Sequence, residues 1–261
     1  MDRITEIFRL AGREPAKANG ADEVVREVEH RIGMKLPSSF RQLLLFDSAM
    51  DLLRTHSSGD DPIDCSELGH RLERWDEWDA CGPTGQYGYD PLNDKLLPFM
   101  TENQGVCTWA VELENGDDPR VFIEVDAQGR PEWQLTATTF TDWLASRVED
   151  HLLLESASFA AQAPELDDDG MDLLRRRFQE GYATFAWPGR VNYRFSNAHA
   201  DLLLWSNEGQ CDWWIKLMPD AQIDDALDQL SNIQGLVQAL YVIGEGDVKI
   251  LQAWKRRHTK M

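Results

Sequence analysis

Apolar residues recur along this chain first at helical and then at strand spacing. Between Asp22 and Ile32, Val24, Val28 and Ile32 fall four residues apart, with Glu23, Arg26, Glu27 and Arg31 on other faces, the pattern of an amphipathic helix. Gly33 follows as a left-handed stop, and Pro37 opens a second helix, where its missing N–H costs nothing. Phe40, Leu43 and Leu44 give that helix its buried side. Ahead of both, Met1 to Leu10 reads as a short amphipathic helix. The spacing Leu68, Leu72, Trp75 and Trp78 predicts a further helix stopped by Gly82-Pro83, and the turn formers between Pro83 and Asp94 predict an exposed loop.

The period then changes to two. From Val106 to Leu113, alternation sets Cys107, Trp109, Val111 and Leu113 on one face, which is therefore core. Asn115-Gly116-Asp117-Asp118 turns the chain into a strand over Val121 to Val125, and a third strand runs through Glu132 to Leu135. Thr138 or Thr139 caps a closing helix that turns Phe140, Trp143, Leu144 and Val148 inward. Ala160 to Gly170, with its alanines, Pro164 and the acidic trio Asp167 to Asp169, reads as a linker ending in a helix cap. Beyond it a helix over Met171 to Gln179 starts with acids and ends near Arg175, Arg176 and Arg177, each suited to the helix dipole. Strands are expected at Tyr182 to Phe185, Val191 to Phe195, Asp201 to Trp205 and Trp213 to Met218, then a helix over Gln222 to Ser231. Tyr241 to Ile243 and Val248 to Leu251 suggest a last hairpin. The division is a domain over 1–155, a linker over 156–170, and a small second domain or extension over 171–261.

Charge changes this picture more than composition does. Ten Trp and ten Phe among 261 residues place the chain with globular proteins, and the formal charge is −20. Positions 1–150 hold 30 acids against 15 bases, whereas 151–261 hold 16 against 11, so the acidic character belongs mainly to the first part. Such a charge repels nucleic acid and acidic lipid faces and attracts basic partners. The opening decapeptide mixes Asp2, Arg3, Glu6 and Arg9 into its apolar residues, unlike a secretion signal, and the longest apolar runs are far shorter than a membrane span. A cytoplasmic location is expected, with no membrane and no nucleic acid as partner.

Motifs for a reaction are absent. The Gly82 to Gly88 loop lacks the Gly-Lys-Ser/Thr ending of a phosphate-binding loop, and no G-x-S-x-G or H-E-x-x-H occurs. His199-Ala200-Asp201 offers two ligands without a third, and Asp167-Asp168-Asp169-Gly170 lacks the spacing and final glutamate of a calcium loop. Cys65, Cys81, Cys107 and Cys211 are scattered without a CxxC pair and read as reduced thiols. No enzyme activity, metal or cofactor is expected.

Three blocks in order carry a resemblance. Leu36-Pro37-Ser38-Ser39-Phe40 leads into Leu43 and Leu44. Leu97-Pro98-Phe99 is followed by Glu102-Asn103-Gln104-Gly105-Val106, Trp109 and Asp117-Asp118-Pro119-Arg120-Val121. Thr138-Thr139-Phe140 precedes Trp143-Leu144. Together, over roughly residues 20–150, they resemble the SUKH superfamily, which is best known for bacterial immunity proteins that bind and block toxins, often nucleases. Relatives include a fungal cell-wall regulator and viral proteins. One departure is Phe46-Asp47-Ser48-Ala49-Met50 where the family commonly has an Asn-Gly pair. The resemblance implies an α+β fold with a central, mostly antiparallel sheet flanked by helices, to which this chain adds a C-terminal α+β extension.

Two segments are candidate partner contacts. Asp60 to Asp79 carries eight acids against Arg71 and Arg74, with Trp75 and Trp78 among them, and we take Asp64, Glu67, Glu73, Asp76, Glu77, Trp78 and Asp79 as the contact set. Acids speed encounter with a basic protein, and a buried ring supplies binding energy; the alternative is that the tryptophans face the core. Glu102, Asn103 and Gln104 sit beside a strand that can aim them, or else hold a turn through local backbone hydrogen bonds. The expected function is that of an immunity protein binding a basic toxin domain. The alternatives are a regulatory scaffold for a housekeeping partner and an enzyme with an unrecognised site in the C-terminal region.

Overall fold

A computed structural model describes residues 2–55, 60–70, 90–105, 107–114, 116–126, 131–186, 189–243 and 248–258. The chain divides into two compact units, Met1–Val148 and Glu149–Met261, and both are α+β. Among the described residues no helix is long and apolar enough to cross a membrane.

The first unit opens with α1 (Arg3–Leu10), capped by the Asp2 carboxylate accepting the Ile4 N–H at 3.2 Å. Helix α2 (Ala21–Ile32) buries Val25 and Val28 and ends at Gly33, whose φ of 69° is the left-handed stop expected of it. Helix α3 (Ser38–Leu45) follows Pro37 and buries Phe40, Leu43 and Leu44. At the departure from the family pattern, Phe46 bridges to Lys17 and the Asp47 N–H donates to the Ala16 carbonyl, before α4 (Ala49–Thr55) begins. The helix expected from Leu68 lies, beyond His70, outside the described residues, as does most of the expected loop after Pro83. The end of that loop is a short 3-10 turn, Pro91–Asp94, capped by Asp90.

Strands β1 (Asp61–Pro62), β2 (Leu96–Thr101), β3 (Thr108–Glu112), β4 (Val121–Asp126) and β5 (Pro131–Ala137) form an antiparallel sheet in chain order. Alternation in β3 predicts one core face, yet Thr108 and Ala110 on the other face are buried too. Helix α5 (Phe140–Ser156) closes the unit, and its Phe140 and Trp143 rings meet Phe40 of α3 and Phe99 of β2 at centroid distances of 5.0–5.8 Å. All four rings are buried. Edge-to-face packing adds about 1 kcal/mol per pair to the burial itself.

The turn before β4 fastens this arrangement. The Asp117 carbonyl accepts the Ser39 N–H at 2.9 Å, one of the orphan donors at the start of α3, and its carboxylate accepts the Ser38 hydroxyl at 2.6 Å. Asp118 accepts the Ser39 hydroxyl at 2.9 Å, the Thr141 N–H at 3.1 Å and the Thr141 hydroxyl at 2.5 Å. Thr139 caps α5 through the Asp142 N–H, as one of the two expected threonines.

The second unit starts within α5, and the segment 156–170 is not a linker. Strand β6 (Phe159–Pro164) lies inside a sheet, because its alanines face large partners: Ala161 is opposite Trp213, Ala160 opposite Trp214 and Ala163 opposite Cys211. After α6 (Asp168–Arg177), capped by Asp167 as expected, come β7 (Gln179–Glu180), β8 (Thr184–Ala186), β9 (Arg190–Ser196), β10 (Ala200–Asn207) and β11 (Gln210–Leu217). Helices α7 (Ile223–Asp228) and α8 (Leu236–Ala239), strand β12 (Tyr241–Val242) and helix α9 (Val248–His258) complete it. The sheet order is β12-β6-β11-β10-β9-β7, with β8 also beside β9.

The expected last hairpin does not form. Leu251 and Trp254 are three residues apart and both buried, the basic residues Lys255 to His258 gather in the last turn, and the segment is helical. Strand β12 pairs with β6 instead. Within this unit Asp150 forms a two-point ion pair with Arg194, at 2.7 and 2.6 Å. The remaining Arg194 donors reach the carbonyls of Tyr182 and Asn192 and the Thr184 hydroxyl, so all of its N–H groups are used.

Two substitutions test these ties by urea unfolding. Asp118→Ala removes three hydrogen bonds and leaves helix-end donors without partners, and is expected to cost about 2–3 kcal/mol, with Asp118→Asn costing about half as much. Arg194→Ala removes five hydrogen bonds, two of them to the part-buried Asp150 carboxylate, and is expected to lower the stability of the second unit by about 2 kcal/mol.

Candidate functional site

The residues that carry the family resemblance sit inside the fold. Phe40, Leu97, Phe99, Trp109, Phe140 and Trp143 are buried, and Ser38, Ser39, Asp117 and Asp118 hold helix ends, so these motifs build a frame. Exposed acids that the sequence marks as candidate contacts lie at and just after the β1 edge of the first sheet.

At that edge Asp61 lies opposite Thr101, one residue before Glu102, and the Ile63 N–H donates to the Phe99 carbonyl. Glu102 therefore lies at the Asp60 end of this pairing, while Asp64 and Glu67 follow β1 from its other end. Asp64 and Glu67 are exposed in a turn, where the Asp64 carbonyl accepts the N–H groups of Glu67 and Leu68. This turn is fixed to α2: Leu68 is buried, Arg31 donates to its carbonyl at 2.6 Å, and Gly69 packs on Ile32. Gly69 has φ 81°, and a Cβ there would come within 2.4 Å of Ile32 Cγ2, so the close approach requires glycine.

Glu102, Asn103 and Gln104 form a tight turn. The Glu102 carboxylate accepts the Gln104 N–H at 2.7 Å, its carbonyl accepts the Gly105 N–H at 2.7 Å, and Gly105 has φ 72°. The local backbone bonding set against a contact role is thus present, while the Asn103 and Gln104 side chains are exposed. Glu73, Asp76, Glu77, Trp78 and Asp79 lie outside the described residues.

Beneath the turn is a pair that sequence reasoning missed. Asp60 is only 5% exposed, accepts the Asn103 N–H at 3.2 Å and forms an ion pair with Arg147 of α5. The Arg147 guanidinium stands 5.1 Å from the Trp109 ring centre and 5.6 Å from that of Trp143. Burial pushes the Asp60 carboxyl above the usual carboxylate range; Arg147 and the Asn103 N–H pull the other way, and Glu102 adds to the rise. In the sequence Asp60 is one acid in a run of eight. The only signal for Arg147 is its place four residues after Trp143, one helical turn on.

Other candidate chemistry does not assemble. The His199 N–H is held by Asn197, and Asp201 stands opposite Lys216, with burial pushing its carboxyl up. No group of three His, Cys, Asp or Glu side chains among the described residues is placed to hold a metal. Cys65 and Cys211 are free thiols, with Cys211 pushed up to about 12 by burial; Cys107 is buried, and Cys81 lies outside the described residues.

The first unit is thus an α+β domain whose aromatic core carries the β1 edge with its exposed acids Asp61 and Asp64. Its residues 20–146 match the SMI1 / KNR4 family (SUKH-1), and this segment belongs to the SUKH superfamily. No curated protein and no solved structure matches the chain.

The raised Asp60 carboxyl gives a signed pH dependence. The folded state holds this proton to higher pH than the unfolded chain, so the Asp60 contribution to stability is full below its unfolded value, near pH 4, and is lost as pH rises through the folded value. Asp60→Asn is expected to gain stability relative to wild type as pH rises from the unfolded carboxylate value, near pH 4, through the raised folded one, measured by urea unfolding at each pH.

Proposed function

We propose that this chain is a non-enzymatic binding protein of immunity type, acting in the cytoplasm, which occludes a bacterial toxin by seating its acidic sheet edge on a basic surface of that toxin. A nuclease fits this reading, because a nuclease carries a basic surface for nucleic acid. The observation that carries it is the combination of the SUKH-1 match with the exposed acids Asp61, Asp64 and Glu67 on the β1 edge and the turn that follows it, which is fastened to α2. Rigid presentation keeps the ordering cost of binding low, and the excess of 15 acids over bases in residues 1–150 speeds encounter with a cation-rich surface.

The test is co-expression with each toxin encoded beside the gene. Rescue of growth together with a co-purifying complex is expected. The triple variant Asp61→Asn, Asp64→Asn, Glu67→Gln alters exposed side chains only and is expected to slow association about tenfold at low salt, with a smaller difference at high salt. Failure of every neighbouring toxin to be neutralised or bound would end the immunity reading.

A further inference from the structure

We propose that the face of the second sheet turned away from helices α6 to α9 binds an arginine side chain of a basic partner through Trp214, Tyr241 and Asp212. That the partner is a toxin rests on the function proposed above, whereas the site is read from the second unit alone. Residues directly opposite one another in antiparallel strands share a face of the sheet. The register sets Leu203, Trp214, Ala160 and Tyr241 in one row across β10, β11, β6 and β12, and Trp205, Asp212 and Gln162 in the next row. Their neighbours Phe159, Ala161, Trp213 and Ile215 point the other way, into the core formed with those helices.

Aromatic surface and an unmatched acid coincide on this face. Tyr241 is 53% exposed at the β12 edge, and the part-exposed Trp205 and Trp214 rings lie 4.3 Å apart. Exposed Trp and Tyr rings grouped on one face are the residues that anchor protein contacts. The Gln162 and Gln210 amides donate to Asp212 Oδ1 at 3.2 and 3.1 Å, which fixes the carboxylate with neutral groups. Among the described residues no cation pairs with Asp212, while Lys216 stands opposite Asp201 and Arg194 is paired with Asp150. Asp212 is thus the acid on this face left to an incoming cation.

The chain itself shows which cation fits. The Arg190 guanidinium of β9 stands 4.1 Å from the Trp205 ring centre, so Trp205 meets a guanidinium from β9 and the Trp214 ring from β11. A guanidinium is planar and weakly hydrated; it stacks on an indole and still presents N–H groups at its edge to a carboxylate. Trp214 and Asp212 are two residues apart on one strand, about 7 Å along it, a span that one arginine head covers from ring to carboxylate. An ammonium is compact and strongly hydrated, so lysine gains less from the same ring.

The probe is N-acetylarginine amide, titrated into the full chain and read at the Trp214 indole N–H resonance, which Trp214→Phe assigns. A saturable shift in the millimolar range is expected, and none with the citrulline analogue, which has the same shape without the charge. Asp212→Asn keeps the side-chain shape and is expected to weaken binding about fivefold; Tyr241→Ala changes an exposed ring and is expected to weaken it about threefold. The Asp61→Asn, Asp64→Asn, Glu67→Gln variant is expected to bind the probe as wild type does, so failure of the immunity reading and failure of this site are separate results. No shift at Trp214, equal shifts with the citrulline analogue, or unchanged affinity in Asp212→Asn would each overturn the site.

Discussion

Two successive carboxylates, Asp117 and Asp118, decide how the first unit is put together. Each helix begins with N–H groups that have no partner inside the helix, and burying them unmade costs more than a good bond returns. Here one turn satisfies the starts of two helices, α3 and α5, that are about a hundred residues apart in the chain. The turn also leads into β4, so the sheet and the two helices are fixed by the same few atoms. Ser38, Ser39 and Thr141 are the residues that fit this arrangement, because each offers a short hydroxyl beside its backbone N–H.

The aromatic cluster depends on that fixing. Phe40, Phe99, Phe140 and Trp143 come from three separate stretches and meet edge to face only if α3 and α5 start at the right height over β2. With this core in place Arg147, one turn beyond Trp143, reaches Asp60 at the β1 edge, and Asp60 in turn holds the Asn103 N–H. A buried ion pair adds little net stability, since desolvation offsets attraction. Its effect here is positional: the acidic edge is attached to the packed interior. The second unit repeats the device with different residues, as Arg194 and Asp150 tie the β9 strand to the end of α5.

Local patterns were legible wherever one face alone determined the element. The α2 helix, its glycine stop and the threonine cap of α5 rest on neighbours within one or two turns of chain, and these agree with the structure, whereas the α2 face centres on Val25 and Val28 and β3 is buried on both faces. The alanine-rich segment of β6 was not legible. Small residues have weak strand preference, and their place is set by Trp213 and Trp214 some fifty positions later, which need the space that alanine leaves. The start of α9 misled for the complementary reason, as Val248 and Ile250 alternate over too few residues to outweigh the later Leu251 and Trp254 spacing.

For the candidate site the division is similar. Sequence by itself determined the acidic bias of the first 150 residues, the order of the family blocks and hence the α+β class, because charge and periodicity are properties of the chain whatever its path. Only the tertiary structure decided that those blocks are frame rather than contact surface, that Glu102 spends its carboxylate on its own turn, and that Asp60 is buried while Asp61 and Asp64 are exposed. The physical reason is that burial and pairing of a carboxylate depend on which distant group stands opposite it, and Arg147 lies 87 residues from Asp60 along the chain.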